Sequence, residues 1–277
     1  MEDKMHIHTI QSYMVFETEK FYQKIIAEDG ISHFYSFKGS QNSSKQIPLF
    51  ADGCSNLLFE YSDTDVASYL IGNSNVSNTL NIKKNCEYFG IRFQPGTNPY
   101  FEHQEAKDLL GQKIDLRDFP ILKDLTLKME EQDTFTTRMC TFMQEYRKYL
   151  EKSNTQKKQL FYQIVNLIVK NDGLLRINEL IKLTGYSSRY VNQLFETYLG
   201  YSPKQFTELV KMHTVINVIN KTEVKSLTGL SNDYKFYDQS HFVKSFKDFA
   251  GMTPGDYIKK VKDYDYATKV LNEGIDF

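Results

Sequence analysis

The sequence predicts an α+β protein: a small antiparallel β-barrel with helices behind it, then an all-α domain carrying two helix-turn-helix motifs. Three observations predict this. Short aromatic and β-branched segments fill residues 31–94 and are separated by polar clusters. A helix-and-stop pattern occurs twice: "FETYLGYSP" from Phe195 to Pro203 returns as "FKDFAGMTP" from Phe246 to Pro254, each Phe, Gly and Pro 51 residues after its counterpart. Charge is uneven: residues 1–152 hold 17 Lys+Arg against 22 Asp+Glu, a net of −5, whereas residues 153–262 hold 16 against 9, a net of +7.

The length of 277 residues allows two domains, each large enough to bury a core. The polar stretch "EKSNTQKK", 151–158, loses the apolar pattern on either side and marks the boundary, giving domains of 1–152 and 153–277. The second ends in a short acidic tail, "DYDYATKVLNEGIDF". The opening "MEDKMHIHTI" has no signal-peptide core, and no apolar run approaches the ~18 residues that span a bilayer, so a cytoplasmic protein is expected. Cys54, Cys86 and Cys140 form no CxxC pair and read as free thiols.

In the first domain "ISHFYSF", "IPLFADG", "SNLLFEY", "VASYLIG" and "EYFGIRF" read as strands, with turns in "KGSQNSSK" and "GNSNVSN". Alternation puts Phe34, Ser36 and Lys38 on one face and His33, Tyr35 and Phe37 on the other, without saying which is inside. Helical signals begin near Glu105. Phe135, Met139, Phe142, Tyr146 and Leu150 step by four and three, one face of a helix. That face either packs on its own barrel or pairs two subunits.

In the second domain Phe161, Ile164, Val165 and Ile168 form one stripe, closed by Gly173. "INELIKLTG" and "SSRYVNQLFETYLG" are two helices around a turn at Gly185, the second capped by Ser187. Val191, Leu194, Phe195 and Tyr198 face inward, leaving Arg189, Asn192 and Gln193 on exposed faces near the helix start. "EVKSLTGLSND" and "DQSHFVKSFKDFAG" repeat the design: Asp238 caps, Phe242, Phe246 and Phe249 face inward, and Gln239, Ser240, Val243 and Lys244 face outward. Each unit ends at Gly, then Ser-Pro or Thr-Pro, then an aromatic, Phe206 or Tyr257, placed to cover the helix end. Between them "KQFTELVKMHTVINVIN", 204–220, makes a linker helix of about 25 Å, comparable to the ~34 Å between successive major-groove faces. One chain thus offers two DNA-reading heads on a basic domain.

Residues 157–260 resemble the DNA-binding domain of AraC/XylS-type transcription regulators, through "LTGYSSRYVNQLFETYLGYSPKQF" and "KFYDQSHFVKSFKDFAGMTPGDYIKK". The resemblance implies DNA-facing roles for Arg189, Asn192, Gln193, Gln239, Ser240 and Lys244. Gln193 and Lys244 stand where the family commonly has arginine. Lys235-Phe236 stands for its Gly-Phe turn, so a turn that is rebuilt or strained is expected there. The front domain resembles the cupin-like sensor domain of such regulators in "LFADGCSNLLFEY", "FGIRFQPGTNPYF" and "LLGQKIDLRDF".

Catalytic readings are weak. His6 and His8 form an H-x-H pair, with His33 and His103 in the same domain, but no glutamate follows before Glu17 to complete a metal set. Asp52-Gly53-Cys54 reads as a hairpin turn beside a packed thiol rather than a reactive cysteine. The expectation is a ligand-responsive transcription regulator, not an enzyme, with no metal or cofactor. Its expected partners are double-stranded DNA, a small-molecule effector, a second copy of itself and, for an activator, RNA polymerase. The alternatives are a cupin-type metal-dependent enzyme fused to a DNA-binding domain, or a front domain that binds only a protein.

Overall fold

The computed structural model describes residues 11–40, 45–101, 104–150 and 156–272. His6, His8 and His103 lie outside them, as does part of the boundary stretch 151–158. A short helix α1 (Ser12–Phe16) precedes eight strands: β1 (Phe21–Glu28), β2 (Ile31–Lys38), β3 (Lys45–Leu49), β4 (Asn56–Tyr61), β5 (Val66–Ile71), β6 (Asn78–Ile82), β7 (Glu87–Phe93) and β8 (Lys113–Asp115). Helices α2 (Lys123–Glu130) and α3 (Phe135–Leu150) close the front region. The back region is helical: α4 (Gln156–Lys170), α5 (Ile177–Thr184), α6 (Ser188–Leu199), α7 (Pro203–Lys221), α8 (Leu227–Asp233), α9 (Gln239–Ala250), α10 (Pro254–Asp263) and α11 (Tyr266–Lys269). A last strand, β9 (Val270–Asn272), ends the described chain.

The expected closed barrel is an open sheet. Seven strands lie in the order β8-β5-β4-β7-β2-β1-β9, and β3 pairs with β6 in a separate two-stranded ribbon. Closure would require the two outer strands to pair, and both are three-residue segments at opposite ends of the order. The sheet is also mixed: β9 runs parallel to β1, with Phe21 opposite Val270.

Both faces of this sheet are covered, which is why alternation along β2 could not choose an inside. Phe34, Phe59, Phe89, Ile91 and Phe93 meet Met139, Phe142 and Tyr146 of α3. The helical stripe left open between core and subunit contact is therefore core: Met139 is 2% and Phe142 0% exposed. On the other face Tyr35, Phe37, Leu58 and Tyr88 join the β3–β6 ribbon, α1 and the back helices in one continuous core.

Front and back regions are sewn together by residues far apart in sequence. Phe16 of α1 packs against Tyr257 and Tyr266, ring centroids 5.8 Å away in each case. Asn220 of α7 donates to Ser12 and accepts from the Tyr257 hydroxyl. Phe50 stacks on Phe249 at 5.2 Å. His213 of α7 donates from Nε2 to the Ala51 carbonyl at 2.8 Å, and burial drives its pKa down to about 3, so the ring is neutral.

Beside this seam sits a buried ion pair between Asp52 and Arg92. Asp52 also accepts from Gln11 Nε2 at 2.6 Å and the Cys54 amide at 2.9 Å, while Arg92 donates to Asn56 at 3.1 Å. Burial pulls the Arg92 pKa down to about 10, which leaves it charged at neutral pH. Gly53 takes a φ of +71° beneath Tyr201 and Phe206, and Cys54 is buried, so "DGC" is a packed turn.

Candidate nucleic-acid interface

Local chemistry builds the two helical units in the same way. Helix α5 ends on Gly185 at φ +73°, and α6 starts where the Ser187 hydroxyl accepts the Tyr190 amide at 3.2 Å. In the second unit the Asp238 carboxylate accepts the His241 amide at 2.7 Å to start α9. Helices α6 and α9 both end on left-handed glycines, Gly200 and Gly251. The prolines that follow each stop are the first residues of α7 and α10, capped by Ser202 and Thr253. Phe206 and Tyr257 are wholly buried and pack on Phe195 and Phe246 at 5.7 and 5.6 Å. The linker helix α7 is 19 residues, about 28 Å at 1.5 Å per residue.

All six sequence-derived site residues lie on α6 or α9, and their environments differ. Arg189, Gln193, Ser240 and Lys244 are exposed. Asn192 is half-buried, and its Nδ2 donates to the Ser188 carbonyl one turn back at 2.8 Å. Gln239 accepts from the Thr228 hydroxyl at 2.7 Å, which ties the start of α9 to α8. Gln193 stands at a cleft of about 1100 Å³ between α6 and the front region, whose lining includes Gly96, Phe101, Lys107, Tyr198 and Gln205. Close by, the 3-10 turn at Ala106–Leu109 abuts the end of α6: a Cβ on Gly200 would meet the Lys107 backbone at 2.9 Å. A Cβ on Gly251 would meet nothing within 4 Å.

Two exposed tyrosines outside that set flank the helix starts. Tyr237, immediately before the Asp238 cap, is 92% exposed, and Tyr186, immediately before the Ser187 cap, is 43% exposed. They are 51 residues apart, so the repeat offset already paired them. Tyr186 leans on Tyr190 with ring centroids 5.3 Å apart.

The second turn is strained as expected. Lys235 takes a φ of +53°, and the Lys235 and Phe236 amides reach back to Asn232 and Ser231 in a left-handed helix stop. Lysine pays a conformational cost of about 1–2 kcal/mol there. Glycine would relieve that cost but return about 0.4–1 kcal/mol through the freer unfolded chain. Lys235→Gly is therefore expected to raise the thermal midpoint slightly; a lowered midpoint would show that the lysine side chain stabilises the turn.

Among the described residues no group of three or more His, Cys, Asp or Glu is placed to hold a metal ion, and His33 is buried within β2. No described helix is long and apolar enough to cross a membrane.

Residues 180–260 match a helix-turn-helix domain, and residues 28–115 match a domain of unknown function, DUF6597. The chain is 27% identical to the Msm operon regulatory protein of Streptococcus mutans over 42% of this chain and 41% of that one. It is 25% identical to the XylDLEGF operon transcriptional activator of Pseudomonas putida over 42% of this chain and 36% of that one. The chain spans under half the length of the curated relatives it matches. Among solved structures, that of unsaturated fatty acid-bound ToxT from Vibrio cholerae covers 92% of this chain and 96% of its own, at 15% identity and a TM-score of 0.42.

Proposed function

We propose, for a chain that belongs to the AraC/XylS-type helix-turn-helix transcription regulators, that α6 and α9 enter neighbouring major-groove segments of one DNA duplex. One observation carries the reading: two recognition helices with matching caps and stops, 51 residues apart in a block of net charge +7, present polar and basic side chains at corresponding positions. Arg189, Asn192 and Gln193 serve the first helix; Gln239, Ser240 and Lys244 serve the second. Tyr186 and Tyr237 stand at the helix entrances, where a phenol can donate to a phosphate.

The division of labour follows from side-chain chemistry. Asn192 and Gln193 carry amides suited to adenine edges, whereas Lys244 is a mobile charge suited to phosphate. The Asn192 Nδ2 carries two N–H donors, so one can stay on the Ser188 carbonyl and orient the amide while the other N–H and Oδ1 meet the base. In the full chain, Asn192→Ala is expected to cost about 1–3 kcal/mol on a duplex enriched from a random pool and little on scrambled DNA. Lys244→Ala is expected to weaken both alike and to lower the salt slope by about one. Failure of the wild-type chain to enrich any duplex would overturn the assignment.

A small-molecule effector is the second part of the reading, supported by the cleft between α6 and the front region. An occupant there would touch Gln193 and Lys107 together and so bear on the first head. The reading also includes a homodimer acting in the cytoplasm on paired half-sites, contacting through a surface other than the α3 stripe.

A further inference from the structure

One short loop of the front region holds the far ends of both recognition helices. The loop is residues 72–77, between β5 and β6. Asn73, 1% exposed, donates from Nδ2 to the carbonyl of Leu199, the last residue of α6, at 3.1 Å. Four positions on, the Ser77 hydroxyl donates to the carbonyl of Phe249, the penultimate residue of α9, at 2.6 Å. The Tyr13 hydroxyl adds a bond at 2.5 Å to the carbonyl of Ala250, the last residue of α9. Final-turn carbonyls have no acceptor role within their own helix, so a side-chain donor there fixes the end without competing with the ladder.

The loop is itself anchored. The Gly72 amide donates to the Gln112 carbonyl at 2.9 Å, and the Gly111 amide to the Asn73 carbonyl at 2.8 Å. Just past the loop, Asn78 Nδ2 donates to the Gly111 carbonyl at 3.0 Å. Linker helix α7 alone sets a distance along its axis. Two pins on a common, braced loop also set how the two heads are turned relative to each other.

We propose that loop 72–77 fixes the spacing and mutual orientation at which α6 and α9 meet DNA, with Asn73, Ser77 and Tyr13 as positioning residues. The inference rests on the DNA-reading assignment above. Two heads on one duplex act as a bivalent ligand, whose second contact gains or loses affinity according to how well the spacing is preset. The front region then takes part in selecting sites that it does not touch.

The test uses the full chain. Wild-type protein enriches duplexes from a random pool, and the enriched site is rebuilt with one base pair inserted between its two elements. Wild type is expected to lose affinity on the order of a hundredfold on the respaced duplex. The combined Asn73→Ala, Ser77→Ala and Tyr13→Phe variant should narrow that loss to within about tenfold, chiefly by weaker binding to the original spacing, with binding to a single element unchanged. Ser77→Ala with Tyr13→Phe removes only hydroxyl groups and carries the test if the buried Asn73 change lowers stability. A spacing penalty equal to wild type in a variant with wild-type melting overturns the inference, as does an equal loss on both duplexes. If wild type enriches no duplex, the DNA-reading assignment fails first; enrichment with an unchanged penalty sinks the bracket alone.

Discussion

Glutamate at Met139 and Phe142 is expected to abolish folding of the front region rather than to release soluble monomers. Phe142 has no exposed surface and meets Phe34 at 5.8 Å and Phe93 at 6.3 Å across the interface of α3 with the sheet. Truncating such a phenylalanine to alanine costs about 3–5 kcal/mol. A carboxylate there must also be desolvated without a partner, so the pair of changes exceeds the ~5–15 kcal/mol that holds an ordinary domain together. Near-ultraviolet circular dichroism and a melt of the double variant would show lost tertiary signal and no cooperative transition. Glutamate at Gln144, on the exposed side of the same helix, should change neither. A double variant that folds and melts normally but sediments as a smaller species would restore the subunit-contact reading.

Asp52→Asn is expected to cost about 3–5 kcal/mol, the penalty for leaving a buried guanidinium without its counter-charge. Asparagine keeps the shape and can still accept from Cys54, so the loss isolates the charge of Asp52 opposite Arg92. Adding Arg92→Met should recover much of it, because a buried pair replaced by apolar side chains is often close to neutral. Urea denaturation of the single and double variants measures both steps. A single variant within about 1 kcal/mol of wild type would mean that water or the Asn56 carbonyl already satisfies Arg92.

The helix-turn-helix units were legible because their punctuation is local. Ser187, Gly200 and Pro203, and again Asp238, Gly251 and Pro254, act within a few residues of themselves, and the cap bonds form as the spacing implies. Lys235 at a left-handed position was legible for the same reason. The front sheet was legible strand by strand in β2, β3, β4, β5 and β7 but not as a sheet. Whether it closes depends on which segments pair at its edges, and one edge partner, β9, comes from the other end of the chain. The six candidate residues lie within α6 and α9, the helices read from the spacing, but their hydrogen-bond partners were not legible. The hold of Asn192 on Ser188 and the reach of Asn73 to Leu199 depend on side-chain geometry and on how the back helices pack on the front region, neither of which leaves a period in the sequence. The faces of β2 were undecidable for a plain reason: both are interior.

The β1–β9 pairing has a consequence for biosynthesis. Gln23 and Asn272, whose side chains meet at 2.7 Å, are 249 residues apart. A ribosome adding roughly 5–20 residues per second separates the birth of these two strands by roughly ten to fifty seconds. Over most of that interval Tyr13, Met14, Val15 and Phe16 also wait for the partners that later bury them. The nascent chain therefore presents an apolar segment and a bare strand edge together, and it cannot retire them domain by domain. Early handling by a holding chaperone, and loss of yield when residues 270–272 are deleted, follow from an architecture in which β1 is completed by β9.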